Sequence, residues 1–136
     1  MTTSHMYTST IKSLQSLVWN WVIQCFGLPA ASNITERNYR FLEEAVELCQ
    51  SLGMDKEACH QVVDYVYFRS PGIPVQELGG VMITLSALAT AADLDIETAW
   101  KREFVRISDP DVIAKIQEKQ AGKPGSVTVK IEGRNI

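Results

Sequence analysis

Three glutamates crowd into five positions, Glu43-Glu44-Ala45-Val46-Glu47, and a fourth, Glu77, opens a later apolar stretch. Glu44 and Glu47 are three residues apart and Glu43 and Glu47 four apart, so on a helix all three project from one side. Such a row is either a solvated face or a set of oxygen donors. Hard divalent cations such as magnesium or manganese prefer several oxygen ligands, and carboxylates from two facing helices can supply them. Glu77 falls in the first turn of a hydrophobic helix, where an unpaired carboxylate is costly and a cationic neighbour is expected. A helix dipole or a salt bridge would meet that need as well as a metal would.

Other side chains have the chemistry to handle a nucleotide. Arg40 stands one turn before Glu44 and can contact a phosphate or pair with Glu43 or Glu44. Lys115, Lys119 and Lys123 recur every four residues on the last helix and its exit, so their amines share a side that can reach phosphate oxygens or simply face water. On the first helix Trp19, Asn20 and Trp21 can stack on and read a base, although aromatic residues at helical spacing also serve as core. Asn20 and Trp21 are the base-binding candidates, with one tryptophan packed and the other partly open. Asp64, set in Val-Val-Asp-Tyr-Val, is either a further metal or ribose contact or a solvent-facing residue. His60 has no second histidine or cysteine at ligand spacing and reads as structural or exposed. No Ser-His-Asp arrangement, Walker loop or dinucleotide fingerprint is present.

The elements that must position these residues are helices. Ile11, Leu14, Leu17, Val18, Trp21, Val22 and Cys25 recur at three- and four-residue steps and predict a helix that stops at Gly27. Leu28 to Ile34, with Pro29 and Asn33, reads as a connection, and Thr35 followed by Glu36 suits the cap and first turn of a second helix. Phe41, Leu42, Ala45, Leu48, Cys49 and Leu52 form its apolar face, opposite the glutamates, and Gly53 ends it. Asp55 caps a third helix that runs to the break at Ser70-Pro71-Gly72. Val75 to Ala92 is apolar on most sides and is expected at the centre of the bundle, as the most buried helix. Asp95 and Asp109-Pro110 signal two more helix starts. Residues 1–10 are expected as a disordered end in which Ser4-His5-Met6 reads as a tag remnant, 11–123 as one helical domain, and 124–136 as a flexible tail or a short strand carrying Val127, Val129 and Ile131.

The two acidic blocks resemble those of the MazG-like all-α nucleotide pyrophosphohydrolases. Glu43-Glu44-Ala45-Val46-Glu47 matches that family's EExxE signature, and Glu77-Leu78-Gly79-Gly80-Val81 matches its second, ExxD, block except at the last ligand. The resemblance spans roughly Ile11 to Lys123. It implies an all-α bundle of about five helices that oligomerises through its helices into a homodimer or homotetramer. It also implies Mg2+- or Mn2+-dependent hydrolysis of a nucleoside triphosphate to the monophosphate and pyrophosphate. Glu44, Glu47 and Glu77 become metal ligands by the same resemblance, and Glu43 a further ligand or the group that orients the attacking water. A phage subgroup, MazZ, which acts on guanine deoxynucleotides, shares this character and points to a purine substrate such as dGTP. Gly80 departs from the pattern, since the family carries aspartate there. Either the metal shell is completed by water or by Glu43, or the chain is a catalytically inactive helical scaffold that binds nucleotide or a protein partner. The active reading is preferred because Gln76 to Met82 looks like a recurring variant of bacterial and phage relatives.

Composition bounds the alternatives. With 136 residues and 46% hydrophobic content the chain supports one core. A net charge of -3 and a pI near 5.4 argue against nucleic-acid polymers and anionic membrane surfaces, which demand a basic footprint. The longest early apolar run, Leu17 to Ile23, is interrupted by Asn20 and falls far short of the roughly 20 residues of a membrane span. The cysteines, Cys25, Cys49 and Cys59, form no CxxC pair and read as small core residues of a reduced, cytoplasmic protein without a signal peptide.

Overall fold

The computed structural model of the chain describes residues 3–126, with side chains from Ile11 onward. Among the described residues there are six helices and no strand: α1 (Thr3–Ala31), α2 (Ile34–Ser51), α3 (Lys56–Tyr67), α4 (Pro74–Ala91), α5 (Ile96–Ile107) and α6 (Pro110–Gln120). The expected bundle of about five helices is thus all-α with one helix more, because the Asp95 and Asp109 caps each open a separate helix. Val127, Val129 and Ile131, expected as a tail or strand, lie outside the described residues.

Each helix end has a local cause. α1 starts upstream of the periodic stretch and breaks at Gly27, whose φ of 78° and ψ of 163° leave helical space. The expected connection over Leu28 to Ile34 is shorter in the structure, because a helical turn resumes around Pro29, where a missing N–H is harmless. Asn33, not Thr35, caps α2: its side-chain oxygen accepts the Glu36 N–H at 2.9 Å. At the far end Gly53 has a φ of 94°. There the Gly53 N–H bonds to the Gln50 carbonyl and the Met54 N–H to the Cys49 carbonyl, both at 3.0 Å, the paired bonds of a Schellman turn. Asp55 then caps α3 by accepting the Ala58 N–H at 2.8 Å.

The α4–α5 connection repeats this device. Asp93, with a φ of 55°, takes the left-handed position, and the Leu94 N–H reaches the Ala89 carbonyl at 2.8 Å. Asp95 caps α5 through the Thr98 N–H at 2.7 Å. Asp109 caps α6 through the Asp111 and Val112 N–H groups, with Pro110 in the first turn.

The chain packs as two units, one comprising residues up to Phe41 with those from Arg106 on, the other Leu42–Val105. In the first, α1 packs on α6 and buries Val22, Cys25, Ala30 and Ala31. Gln117 Nε2 donates to the Cys25 carbonyl at 2.8 Å, and Trp21 Nε1 donates to the Ile107 carbonyl at 2.8 Å. In the second unit Leu48 and Leu52 of α2, Leu85 and Leu88 of α4, and Leu94 and Trp100 around α5 line a partly open apolar pocket of about 220 Å³.

The expectation that α4 is the most buried helix is overturned. Val75, Leu78 and Ile83 are 76%, 62% and 72% exposed, and only Ala89 of this helix is buried. Hydrophobicity reports that a face is costly to leave in water, not that its own chain covers it. No single helix among the described residues is long and apolar enough to cross a membrane; α4 and α5 reach that length only as a pair bent by 100°.

The α5 cap makes stability depend on pH. Hydrogen bonds from the backbone and then the side chain of Thr98 hold the Asp95 carboxyl below its ordinary 3.8. A group whose folded-state pKa is depressed stabilises the fold above its unfolded value, and that stabilisation is lost as pH falls through the folded value. Asp95→Ala therefore lowers the melting temperature at neutral pH, and the gap from the parent closes as pH falls below about 4. Thermal melts of both proteins from pH 7 to pH 3 measure this; a gap that widens on acidification contradicts it.

Candidate functional site

The four predicted carboxylates all belong to the second unit. On α2 a turn of about 3.6 residues places Glu43, Glu47 and Glu44 within an arc of about 100°, while Leu48, one turn beyond Glu44, and Leu52 line the apolar pocket. Glu43 is half-buried, and Glu44 and Glu47 are exposed. The apolar face expected to be buried is largely exposed too, with Phe41 54%, Leu42 56% and Leu52 44% exposed, so the described chain does not cover it.

Glu77 lies in the first turn of α4, its N–H bonded to the Ile73 carbonyl at 3.0 Å. The expected hydrophobic surround is absent: Glu77 is exposed, so its charge carries no burial penalty, and the start of the helix dipole favours it. Its side chain turns back over the α3–α4 loop and lies on Gly72, where a Cβ would collide with the carboxylate. Gly79 and Gly80 are open: a Cβ on either meets nothing within 4 Å. Among the described residues, then, nothing packs against the position of a side chain at Gly80. Asp64 is exposed on α3, as is His60.

Among the described residues no three His, Cys, Asp or Glu side chains are gathered closely enough to hold a metal ion. By donor type Glu43, Glu44, Glu47 and Glu77 suit a hard divalent cation, being oxygen ligands only. The room that Gly72 leaves for the Glu77 carboxylate keeps that group accessible. The cysteines do not add to this set; all three are free, and burial pushes the Cys25 thiol up, away from thiolate chemistry.

The basic candidates belong to the first unit. Arg40 donates from its guanidinium to the Pro124 carbonyl, and the Tyr39 ring lies against Gly125, so α2 holds the chain that leaves α6. Lys115 and Lys119 are exposed on α6; Lys123 is half-buried just past the helix end. Trp21, one of the two base-binding candidates, commits its indole N–H to Ile107 and meets Phe26 edge-on at 6.1 Å. Asn20 is exposed, and so is Trp19, which with Lys12 and Arg37 bounds an open groove of about 840 Å³.

No protein-family model, curated protein or solved structure matches this chain. The MazG-like resemblance rests on the two carboxylate blocks themselves.

Glu36 was anticipated only as a first-turn acid, yet it is the fully buried carboxylate, at 0% exposure. It pairs with Arg37 Nη2 at 2.7 Å, accepts from Gln120 Nε2, and Arg37 in turn lies 5.9 Å over the Phe26 ring. The available signal was the spacing Asn33-x-x-Glu36, which fits a helix-start capping pattern. Its burial depends on Gln120, 84 residues away. Glu36→Ala strands Arg37 and Gln120 and destabilises the protein by about 3–5 kcal/mol, read as a lower urea midpoint. A midpoint equal to the parent's shows that the pair is dispensable.

Proposed function

We propose that this chain is a divalent-metal-dependent nucleotide pyrophosphohydrolase of the MazG-like kind, converting a nucleoside triphosphate, with a purine deoxynucleotide such as dGTP as candidate, to the monophosphate and pyrophosphate. The observation that carries this reading is the open acidic face of α2, with Glu43, Glu44 and Glu47 in one arc, in the same helical unit as an accessible Glu77 at the start of α4. In this reading Glu44, Glu47 and Glu77 would hold the metal, and Glu43, the half-buried member, would orient the attacking water by accepting its hydrogen. A bound divalent ion would supply screening of the polyphosphate and a lower pKa for that water. The chain's own part is positioning: the helical period of α2 sets Glu43, Glu44 and Glu47 in one arc before substrate arrives. Without a cation four carboxylates would repel a triphosphate, which makes the metal obligatory in this reading.

The exposed apolar residues of α3 and α4, including Val62, Val66, Tyr67, Val75, Leu78 and Ile83, support assembly into a homodimer or homotetramer. Light scattering at micromolar concentration is expected to give at least twice the 15.2 kDa chain mass; a monomer mass refutes it.

Screening the eight common ribo- and deoxyribonucleoside triphosphates for pyrophosphate release tests the activity. Glu47→Gln, which keeps side-chain size and removes a charged ligand, is expected to abolish turnover with an unchanged helical circular dichroism spectrum. Wild-type turnover in Glu47→Gln removes α2 from the site. No release from any nucleotide, together with no manganese uptake, favours the alternative of a helical scaffold that binds nucleotide or a protein partner.

A further inference from the structure

The leucine-lined pocket of the second unit is a void of a size that side chains in natural cores rarely leave. Its walls come from α2, α4 and α5, and backbone turns fix them. The Leu94 N–H bonds to the Ala89 carbonyl at 2.8 Å and the Leu52 N–H to the Leu48 carbonyl at 3.2 Å; all four of these residues line the pocket. Ile96, Ala99 and Trp100 complete it from α5, whose first turn Asp95 caps through the Thr98 N–H at 2.7 Å. The pocket is therefore formed before any ligand arrives. Ala89 and Ala99 are the small residues in a wall otherwise built of leucine, isoleucine and tryptophan, with Asp95 as the charged member.

This chemistry narrows the occupant. Water held in a cavity needs about 2–4 polar partners, and the lining side chains offer only the Asp95 carboxylate and the Trp100 indole N–H. Asp95 is exposed, so it marks the open side of the pocket. Hydrogen bonds from Thr98 hold its carboxyl below the ordinary 3.8, which leaves it charged at neutral pH. An anion passing that carboxylate is repelled and would lose its own hydration among hydrocarbon. Size follows from volume. Dry apolar cavities of about 150 Å³ take up benzene, and at about 220 Å³ this pocket has room for a benzene ring with a short alkyl arm. The Trp100 ring suits such a guest through offset or edge-on contact.

We infer that the pocket is a binding site for a small uncharged aromatic molecule of alkylbenzene size, held between the leucines of α2 and α4 and Trp100 of α5. None of the proposed metal ligands lines it, so it stands apart from the nucleotide reading.

Calorimetric titration of the full-length chain with ethylbenzene tests this, with phenylacetate as the charged counterpart on nearly the same skeleton. The parent is expected to bind ethylbenzene saturably, one per chain, with a negative heat-capacity change across a range of temperatures. Phenylacetate is expected to bind at least about 10-fold more weakly. Ala99→Leu fills space that three ligand carbons would use and is expected to weaken ethylbenzene by at least about 10-fold. The same variant keeps or raises the melting temperature, as filled cavities do. Val105→Ala, exposed on α5 and outside the lining, is expected to bind as the parent does. If circular dichroism shows Ala99→Leu unfolded, Ala89→Val carries the same expectation. Absence of saturable binding by the parent overturns the inference. So does parent-like affinity in a folded pocket-filling variant, which places the ligand elsewhere, and so does phenylacetate binding as tightly as ethylbenzene.

Discussion

A carboxylate removed from water must find its hydrogen-bond partners inside the protein, and Glu36 imposes that requirement on the first helical unit. Its partners are Arg37, the next residue on α2, and Gln120, the last residue of α6. Arg37 stacks on Phe26 at the break of α1, so one buried charge joins the ends of three helices. The bonds from Trp21 to Ile107 and from Gln117 to Cys25 extend the same tie along α1. Buried ion pairs seldom add net stability over an apolar core, but breaking one leaves an uncompensated charge. Glu36 thus acts as a constraint on how the helix ends meet.

The second unit uses a different principle. Its leucines line an apolar pocket, and its connections α2–α3 and α4–α5 share one design, a left-handed residue followed two positions later by a capping aspartate. The polar residues of this unit lie toward the surface, with Glu44, Glu47 and Glu77 exposed. The acidic face of α2 and the start of α4 are such surfaces, and the open α3–α4 apolar residues are another. The acidic arc of α2 and the leucines that line the pocket follow from the same helical period.

Much of the frame was legible because its causes are local. Caps at Asp55, Asp95 and Asp109, the stop at Gly53 and the break at Gly27 all involve hydrogen bonds or dihedral angles within five residues, so residue type and spacing suffice. The shift of the α2 cap from Thr35 to Asn33 is a two-residue boundary effect of the same local kind. The one-sided display of Glu43, Glu44 and Glu47 was likewise readable from spacing, since it depends only on the helical period.

By itself, then, the sequence determined an all-α chain of about five helices with their capping signals, the acidic arc on α2 and the place of Glu77 in the first turn of α4. Tertiary structure alone decided that Glu36 is the buried acid, that Trp21 is a tie to Ile107 while Trp19 stays open, that α4 keeps most of its apolar surface, and that Glu77 rests on Gly72. The physical reason is range. Helical period and capping act between near neighbours, whereas burial and side-chain pairing join residues as far apart as Glu36 and Gln120, and nothing in either local stretch encodes the other.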